Sequence, residues 1–176
     1  MRHEPVIVVG VDRSRHSRAA LLWAAEEAVR RQAGLRIMHV RQSGSADVRP
    51  RLPESSSSRR LQAARLQAAR LQAARLQAAQ HQATVDWVSE QLEGRTVPYT
   101  VEAVDGAPGP VLVEVSAEAD LLVVGTGEHV GLDRLLHGSV SHHCVSNAIC
   151  PVVAVPSRMV ERVKTAAPIP RPAAQW

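Results

Sequence analysis

The segment GTGEHVGLDRLLHGSVS, which begins at Gly125, has the residue types and spacing of a phosphate-binding loop. Glycines at this position and at Gly127 and Gly131 let the backbone approach a ligand closely and adopt positive φ. Gly138 and Ser139 then open a predicted helix, whose N-terminal N–H groups and positive dipole end attract an anion. Glycines also occur in ordinary turns, so the pattern alone leaves a phosphate cradle and a simple turn-rich loop as alternatives.

Other residues that could do chemistry do not form a catalytic or metal-binding pattern. His142 and His143 are adjacent on a predicted helix and point about 100° apart, which disfavours joint coordination of one metal ion. Cys144 and Cys150 are expected to be small buried residues rather than a redox pair. Lys164 is the only lysine, so the body of the fold has no P-loop lysine. We therefore predict no catalytic residues and no metal site.

Two further phosphate- or nucleotide-dependent classes fit poorly. A receiver domain would use Asp12, Asp105 and Thr126, which follow three predicted strands. It would also need a lysine after the last strand, where Pro156 stands instead. A dinucleotide dehydrogenase would need G-x-G-x-x-G after the first strand, where only Gly10 occurs.

Alternating strands and helices must position the loop. Apolar or alternating segments predict strands over residues 6–12, 35–40, 97–104, 121–125 and 151–156. Helices are predicted between them, the first capped by Ser14 or Ser17 and stopped by Gly34, the later short ones over 111–119 and 139–147. Such alternation favours parallel pairing with right-handed crossovers, so the fold class is α/β with a doubly wound open sheet. Ligands of such sheets bind at the carboxyl ends of the strands.

The second crossover contains a repeat. LQAAR occurs at 61–65, 66–70 and 71–75, followed by LQAAQ at 76–80 and HQATV at 81–85. These residue types predict a helix over 59–93, about 52 Å long, which would overhang a domain roughly 37 Å across. A five-residue period advances about 140° per unit, so the leucines spiral around the helix, and the core-facing stripe is instead Val85, Val88 and Leu92. We interpret the repeat as a tandem duplication that lengthened an existing helix; a partner-binding arm is the alternative.

The domain is predicted to occupy residues 1–156. Residues 41–58 are rich in Ser, Pro and Arg and are expected to be a flexible loop. Residues 157–176 are basic and Pro-rich and are expected to be a disordered tail.

Composition narrows the function classes further. The apolar runs are far shorter than the ~20 residues of a membrane span, and the N-terminus lacks a secretory signal pattern. Two cysteines cannot make a disulfide scaffold, so we expect a cytoplasmic protein. Of the net charge of +4, five arginines in residues 59–75 supply +5 and the segment from residue 157 supplies +3, which leaves −4 for the body. With aromatic residues at 2%, this distribution predicts no specific nucleic-acid binding.

Several motifs together resemble the universal stress protein family over nearly all of residues 5–156. VIVVGVDRSRHSRAALLWAAEEA is similar to the family's first strand, Asp-containing turn and first helix, and Met38-His39-Val40 to the end of its second strand. The family's nucleotide motif is Gly, two residues, Gly, nine residues, then Gly-Ser or Gly-Thr. Gly125 and Gly138-Ser139 have the spacing of its ends, and GSVS followed by a helix and CPVVAVP matches its close.

The resemblance implies a fold, a ligand and a set of contacts. The fold is a Rossmann-like sheet of the adenine-nucleotide alpha hydrolase type with strand order 3-2-1-4-5. The cofactor is ATP, with Mg²⁺ as an optional companion. Asp12 would contact the nucleoside, the Val40 backbone the adenine, and Gly125 the sugar. The complete set of implied nucleotide-binding residues is Gly10, Val11, Asp12, Val40, Val124, Gly125, Gly138, Ser139, Val140 and Ser141, the last four around the phosphates.

One position departs from the family motif. Its second glycine falls on Glu128, directly after Gly127. A carboxylate there would repel phosphate and hinder close backbone approach, so we expect weak ATP binding. Arg13 stands where the family often has Gly, and its charge could offset that of the carboxylate.

For function, the resemblance implies an adenine-nucleotide-binding regulatory protein in stress response, with at most slow ATP hydrolysis. It also implies a homodimer formed through the last strand, Val152 to Val155. The alternative is a domain of the same fold that does not bind nucleotide and acts through protein contacts.

Overall fold

The computed structural model describes residues 4–42, 56–126 and 140–159, and within them five strands alternate with four helices. The buried apolar runs form the strands, and the segments with helical spacing form the crossovers. The elements are β1 (Val6–Gly10), α1 (Arg15–Arg31), β2 (Gly34–Arg41), α2 (Ser56–Gln91), β3 (Tyr99–Asp105), α3 (Pro108–Val115), β4 (Leu121–Thr126), α4 (Val140–Asn147) and β5 (Val152–Pro156).

The strands form one all-parallel sheet in the order β3-β2-β1-β4-β5. This confirms the predicted α/β fold class, its doubly wound topology and its strand order. Val8 of β1 is opposite Arg36 of β2 on one side and Leu122 of β4 on the other. Because β1 is central and covered on both faces, its interior residues are fully buried.

Two cores lie on opposite faces of the sheet. On one face, α1 and the C-terminal part of α2 pack over Ile7, Ile37 and Val123. On the other face, α3 and α4 pack over Val8 and Met38. The residues alternate between the faces as the two-residue period of a strand requires.

The ends of α1 agree with the sequence prediction at one terminus only. Ser14 is the N-cap, and its hydroxyl accepts a hydrogen bond from the Ser17 backbone N–H. The prediction that Gly34 stops the helix was wrong. Gln32 takes the left-handed conformation, with φ 55°, and its N–H returns to the carbonyls of the last turn, while Gly34 already pairs with Val6 as part of β2.

The helix α2 contains every LQAAR unit and is about 54 Å long at 1.5 Å per residue. It begins at Ser56, and β2 continues through Arg41, so the loop predicted for residues 41–58 was too long at both ends. Leu61, Leu66 and Leu71 are all more than half exposed.

The stripe of α2 that enters the core differs from the prediction by one residue. Val88 and Leu92 are buried, but Thr84 is fully buried beside them and Val85 only half-buried. Periodicity favoured the apolar residue, whereas the buried hydroxyl of Thr84 is accommodated because it has hydrogen-bond partners in the His39 ring and the Gln80 carbonyl.

Candidate functional site

The carboxyl ends of β1, β2 and β4 meet at one edge of the sheet. Val9 is opposite both Ile37 and Val123, so the chain leaves β1 and β4 at the same level. Connections from β1 lead to β2 on one side, and those from β4 lead to β5 on the other. This reversal between neighbouring strands creates the crevice in which open α/β sheets bind ligands.

Asp12 lies in this crevice, in the turn between β1 and α1. Its carboxylate accepts a 2.9 Å hydrogen bond from the Ser14 backbone N–H. Partial burial raises the pKa of Asp12, but hydrogen bonds from Ser14 and Ser17 outweigh that effect and hold the pKa below its usual range. The result is an oriented, ionised acceptor suited to hydroxyl or amino donors of a nucleoside.

Arg13 follows in a left-handed conformation, with φ 64°. This conformation is costly for a residue with a side chain and is natural for glycine. Arg13, which stands where the resemblance implies a glycine, therefore keeps a backbone conformation typical of glycine. Its guanidinium charge contributes to lowering the pKa of His39 in β2, which places positive charge at this edge.

Close packing against α1 explains why residue 125 is a glycine. A Cβ at this position would lie 2.5 Å from the His16 carbonyl oxygen and 3.0 Å from the Ser17 nitrogen, both in the first turn of α1. A Cβ on Gly10 would meet only the Leu112 side chain, at 2.7 Å. The first turn of α1 thus seats directly on β4 at the edge that holds the candidate site.

Three further predicted residues face the core with their side chains. Val11 and Val124 are buried and Val40 is half-buried. The Val11 N–H donates to the Met38 carbonyl at 2.8 Å, which ties the end of β1 to β2. A ligand at this edge would therefore meet these residues through backbone groups, as the resemblance implies for Val40.

The phosphate side of the predicted site is only partly described. Val140 is the first residue of α4 and is exposed, and Ser141 is buried in its first turn. Because β5 is parallel to β4, α4 returns the chain from the carboxyl edge, so its N-terminus faces the crevice side. Gly127, Glu128, Gly138 and Ser139 lie outside the described residues.

A contact that the sequence did not reveal joins β2 to α2 near this edge. His39 Nδ1 lies 3.1 Å from Thr84 Oγ1, and the Thr84 hydroxyl donates to the Gln80 carbonyl at 3.0 Å. Which of the two atoms donates in the contact between His39 and Thr84 depends on the tautomer of His39. Burial, together with Arg13 and Arg41, lowers the pKa of His39. In the sequence, the signal for this contact was that Thr84 lies four residues before Val88 and eight before Leu92, on the same face of the helix.

An open groove of about 550 Å³ lies elsewhere, between α2 and the edge strand β3. Arg41, Gln77, His81 and Glu102 are among its lining residues, and none of the predicted nucleotide-binding residues that the structure describes lines it. Within residues 4–42, 56–126 and 140–159, no group of three or more His, Cys, Asp or Glu side chains could hold a metal ion. None of the helices described there combines the length and apolarity that a membrane span requires.

The sequence profile of the Universal stress protein family matches residues 5–156. The chain belongs to the universal stress protein family. Universal stress protein Rv2005c of Mycobacterium tuberculosis is 32% identical over 160 residues, which are 89% of this chain and 49% of that protein. This universal stress protein domain therefore spans about half the length of the curated relatives it matches.

Solved structures of low identity share the fold. A universal stress protein in complex with cAMP has a TM-score of 0.56 and 24% identity, covering 88% of this chain and 98% of that one. The Archaeoglobus fulgidus universal stress protein in complex with dAMP has a TM-score of 0.55 and 18% identity, covering 88% and 99%. The likeness establishes the Rossmann-like architecture of this universal stress protein.

Proposed function

We propose that this universal stress protein is a regulatory protein that binds an adenine nucleotide weakly and has no catalytic machinery of its own. The observation that carries the proposal is Asp12. It is an ionised, hydrogen-bonded carboxylate placed beside β4 at the switch point of the sheet. The adenine nucleotides bound by two structural neighbours supply the ligand class.

The contacts divide between two halves of the ligand. Asp12 would accept hydrogen bonds from the nucleoside, and the Val40 backbone would meet the base. The N-terminus of α4, with Val140 and Ser141, would receive the phosphates through its N–H groups, after Gly138 and Ser139. In this arrangement ATP is the cofactor and Mg²⁺ would accompany the phosphates.

Glu128 is the reason for proposing weak binding. A carboxylate about 4–6 Å from a phosphate would repel it by roughly 1 kcal/mol or more in a partly solvated site. Each 1.4 kcal/mol is tenfold in affinity. We therefore expect a dissociation constant of tens of micromolar or weaker, and tighter binding on Glu128→Gly.

Calorimetric titration with ATP tests the function. Wild type is compared with Glu128→Gly, with Asp12→Asn, which keeps the shape of the acceptor but removes its charge, and with Gly138→Val, which places a side chain in the cradle. Glu128→Gly should bind at least several-fold more tightly, and the other two variants should lose binding. If no variant binds ATP, the protein-contact alternative replaces this proposal. Submicromolar wild-type binding that Glu128→Gly leaves unchanged would show that Glu128 points away from the phosphates.

We also propose a homodimer through β5. This strand is an edge of the sheet, and exposed edges are normally covered or paired. Val152 and Val153 are half-buried, and the neighbouring Val145 and Ile149 are 58% and 79% exposed. These four residues belong to α4, to β5 and to the turn between them, and we propose that this apolar border pairs with the same border of a second copy.

Light scattering of Ile149→Glu tests the dimer. The variant should shift the protein from the dimer mass to the monomer mass, because a charge would be buried at the border. Val29→Glu is the matched control, since Val29 is 55% exposed on α1, and it should leave the mass unchanged. A wild-type monomer at high micromolar concentration would refute the dimer.

A further inference from the structure

The solvent-facing side of α2 carries an exposed stripe whose members are three or four residues apart. At 100° per residue these positions fall within an arc of about 100°, opposite the buried Thr84, Val88 and Leu92. The outer stripe consists of Leu61, Arg65, Ala68, Gln72, Arg75, Ala79, Gln82, Asp86 and Glu90. It continues the same line from the overhanging part of α2 onto the part that packs on the domain.

The outer stripe carries positive charge in its N-terminal half and negative charge in its C-terminal half. Residues 61–85 contain no Asp or Glu, and Arg65 and Arg75 lie on the stripe. Residues 76–94 contain no Arg or Lys, and Asp86 and Glu90 lie on the stripe, with the exposed Glu93 just beyond. Within the part of the chain that the structure describes, none of these five charged groups forms an ion pair.

We propose that the outer stripe docks antiparallel on the outer stripe of a second copy of this chain. A two-fold axis at Ala79 places residue 68 opposite residue 90 and residue 72 opposite residue 86. Arg65 then comes within three residues, or ~4.5 Å, of direct opposition to Glu90, and Arg75 comes equally close to direct opposition to Asp86. An arginine side chain spans that offset.

The small residues of the outer stripe fit this arrangement. Ala79 lies on the axis and faces Ala79 of the other copy, so the two helix backbones can approach closely there, and the small side chain of Ala68 leaves room for Glu90 opposite it. The overhanging arm of each copy would lie along the solvent face of residues 82–91 of the other. The domains themselves pack on the opposite side of α2 and stay clear of the contact.

The charge pattern selects a second copy over other partners. A polyanion such as nucleic acid would be repelled by the acidic half of the outer stripe, which adjoins the basic half on the same helix face. The same chain offers both charges in the reversed order that antiparallel pairing needs. Because Leu61 is the only large apolar member of the outer stripe, the association depends on charge and is salt-sensitive.

Cross-linking across the two-fold axis tests the pairing in the full chain. Ala79→Cys, combined with Cys150→Ser to remove the half-buried thiol, is treated with a short bis-maleimide at low salt. Gln77→Cys in the same background is the matched control, because it is exposed but faces about 160° away. We expect at least tenfold more covalent dimer for Ala79→Cys, and its loss in about 1 M salt, where the Debye length is about 3 Å. Equal yields for the two positions would overturn the proposal.

Charge reversal gives a second, independent test in the Ala79→Cys background. One variant carries Arg65→Glu and Arg75→Glu, and the other carries Asp86→Lys and Glu90→Lys. Each alone should lose the cross-link, and an equimolar mixture should recover it as a heterodimer. Failure of the mixture to recover it, or full cross-linking of either variant alone, would refute antiparallel pairing. Adding Ile149→Glu should leave these yields unchanged, which separates this contact from the β5 dimer.

Discussion

Adding one methyl group at Gly125 would test how the candidate site is built into the fold. The Cβ of Gly125→Ala would lie 2.5 Å from the His16 carbonyl oxygen and 2.6 Å from its carbonyl carbon. Both atoms belong to the backbone of α1, so no side-chain rotation can relieve the contact. Since the described glycines with positive φ are Gly94 and Gly106, backbone conformation at Gly125 adds no separate penalty.

The magnitude follows from the displacement that the methyl group requires. To reach an ordinary van der Waals separation of at least 3.4 Å from the His16 carbonyl oxygen, the first turn of α1 must retreat by about 0.9 Å from β4. Overpacking of a well-packed interior costs about 1–3 kcal/mol. The same movement strains the cap between Ser14 and Ser17, an interaction worth about 1 kcal/mol. We expect Gly125→Ala to lower the free energy of unfolding by about 2–3 kcal/mol.

Chemical denaturation followed by circular dichroism measures this loss, and thermal unfolding should show a decrease of roughly 4–12 °C in Tm. Gly34→Ala is the matched control, because no atom lies within 4 Å of its Cβ position, and it should change stability little. If Gly125→Ala unfolds like wild type but loses nucleotide binding, glycine serves the ligand rather than the packing, and the reasoning from the α1 contact is wrong.

Three other perturbations have defined outcomes. Deleting residues 66–70 should change the free energy of unfolding by less than about 0.5 kcal/mol, because these residues are exposed, and a loss above roughly 2 kcal/mol would show that they pack on the core. Because the fold lowers the pKa of His39, the unfolded chain binds more protons, so stability should fall as pH drops below about 6.5 and level off below the folded-state pKa. His39→Asn should flatten that part of a stability–pH curve, and an unchanged slope would exclude His39 as its source. Burial raises the pKa of Cys144 to about 11, so mass spectrometry after alkylation at neutral pH should find Cys144 unmodified until the protein is denatured.

The strands were predictable because each one corresponds to a run that contains several apolar residues and does not depend on any single residue. Runs such as Val6–Gly10 and Leu121–Thr126 are apolar on both faces, which fits only central, covered strands. The family motifs supplied the order of the strands. Helix ends were less predictable. Gly34 was expected to end α1, but Gln32, two positions earlier, adopts the left-handed conformation that is more common for glycine.

The contacts of the candidate site depended on tertiary packing and were less accessible from sequence. Asp12 was expected at the site, but its orientation by Ser14 arises from the cap geometry of α1. The seating of α1 on Gly125 joins residues more than a hundred positions apart, so no local pattern encodes it. Thr84 was missed because its burial depends on a contact with His39, 45 positions earlier, that forms only in the fold.

The five-residue unit of α2 also has a consequence for inheritance. Gaining or losing one unit keeps the reading frame, preserves helix propensity and moves the distal end by about 7.5 Å along the axis. It also rotates everything upstream by about 140°, so successive copy numbers present different faces to a partner. A change of five units is the smallest that restores the original direction to within about 20°. Gain or loss of units therefore changes what the arm contacts while leaving the folded domain intact.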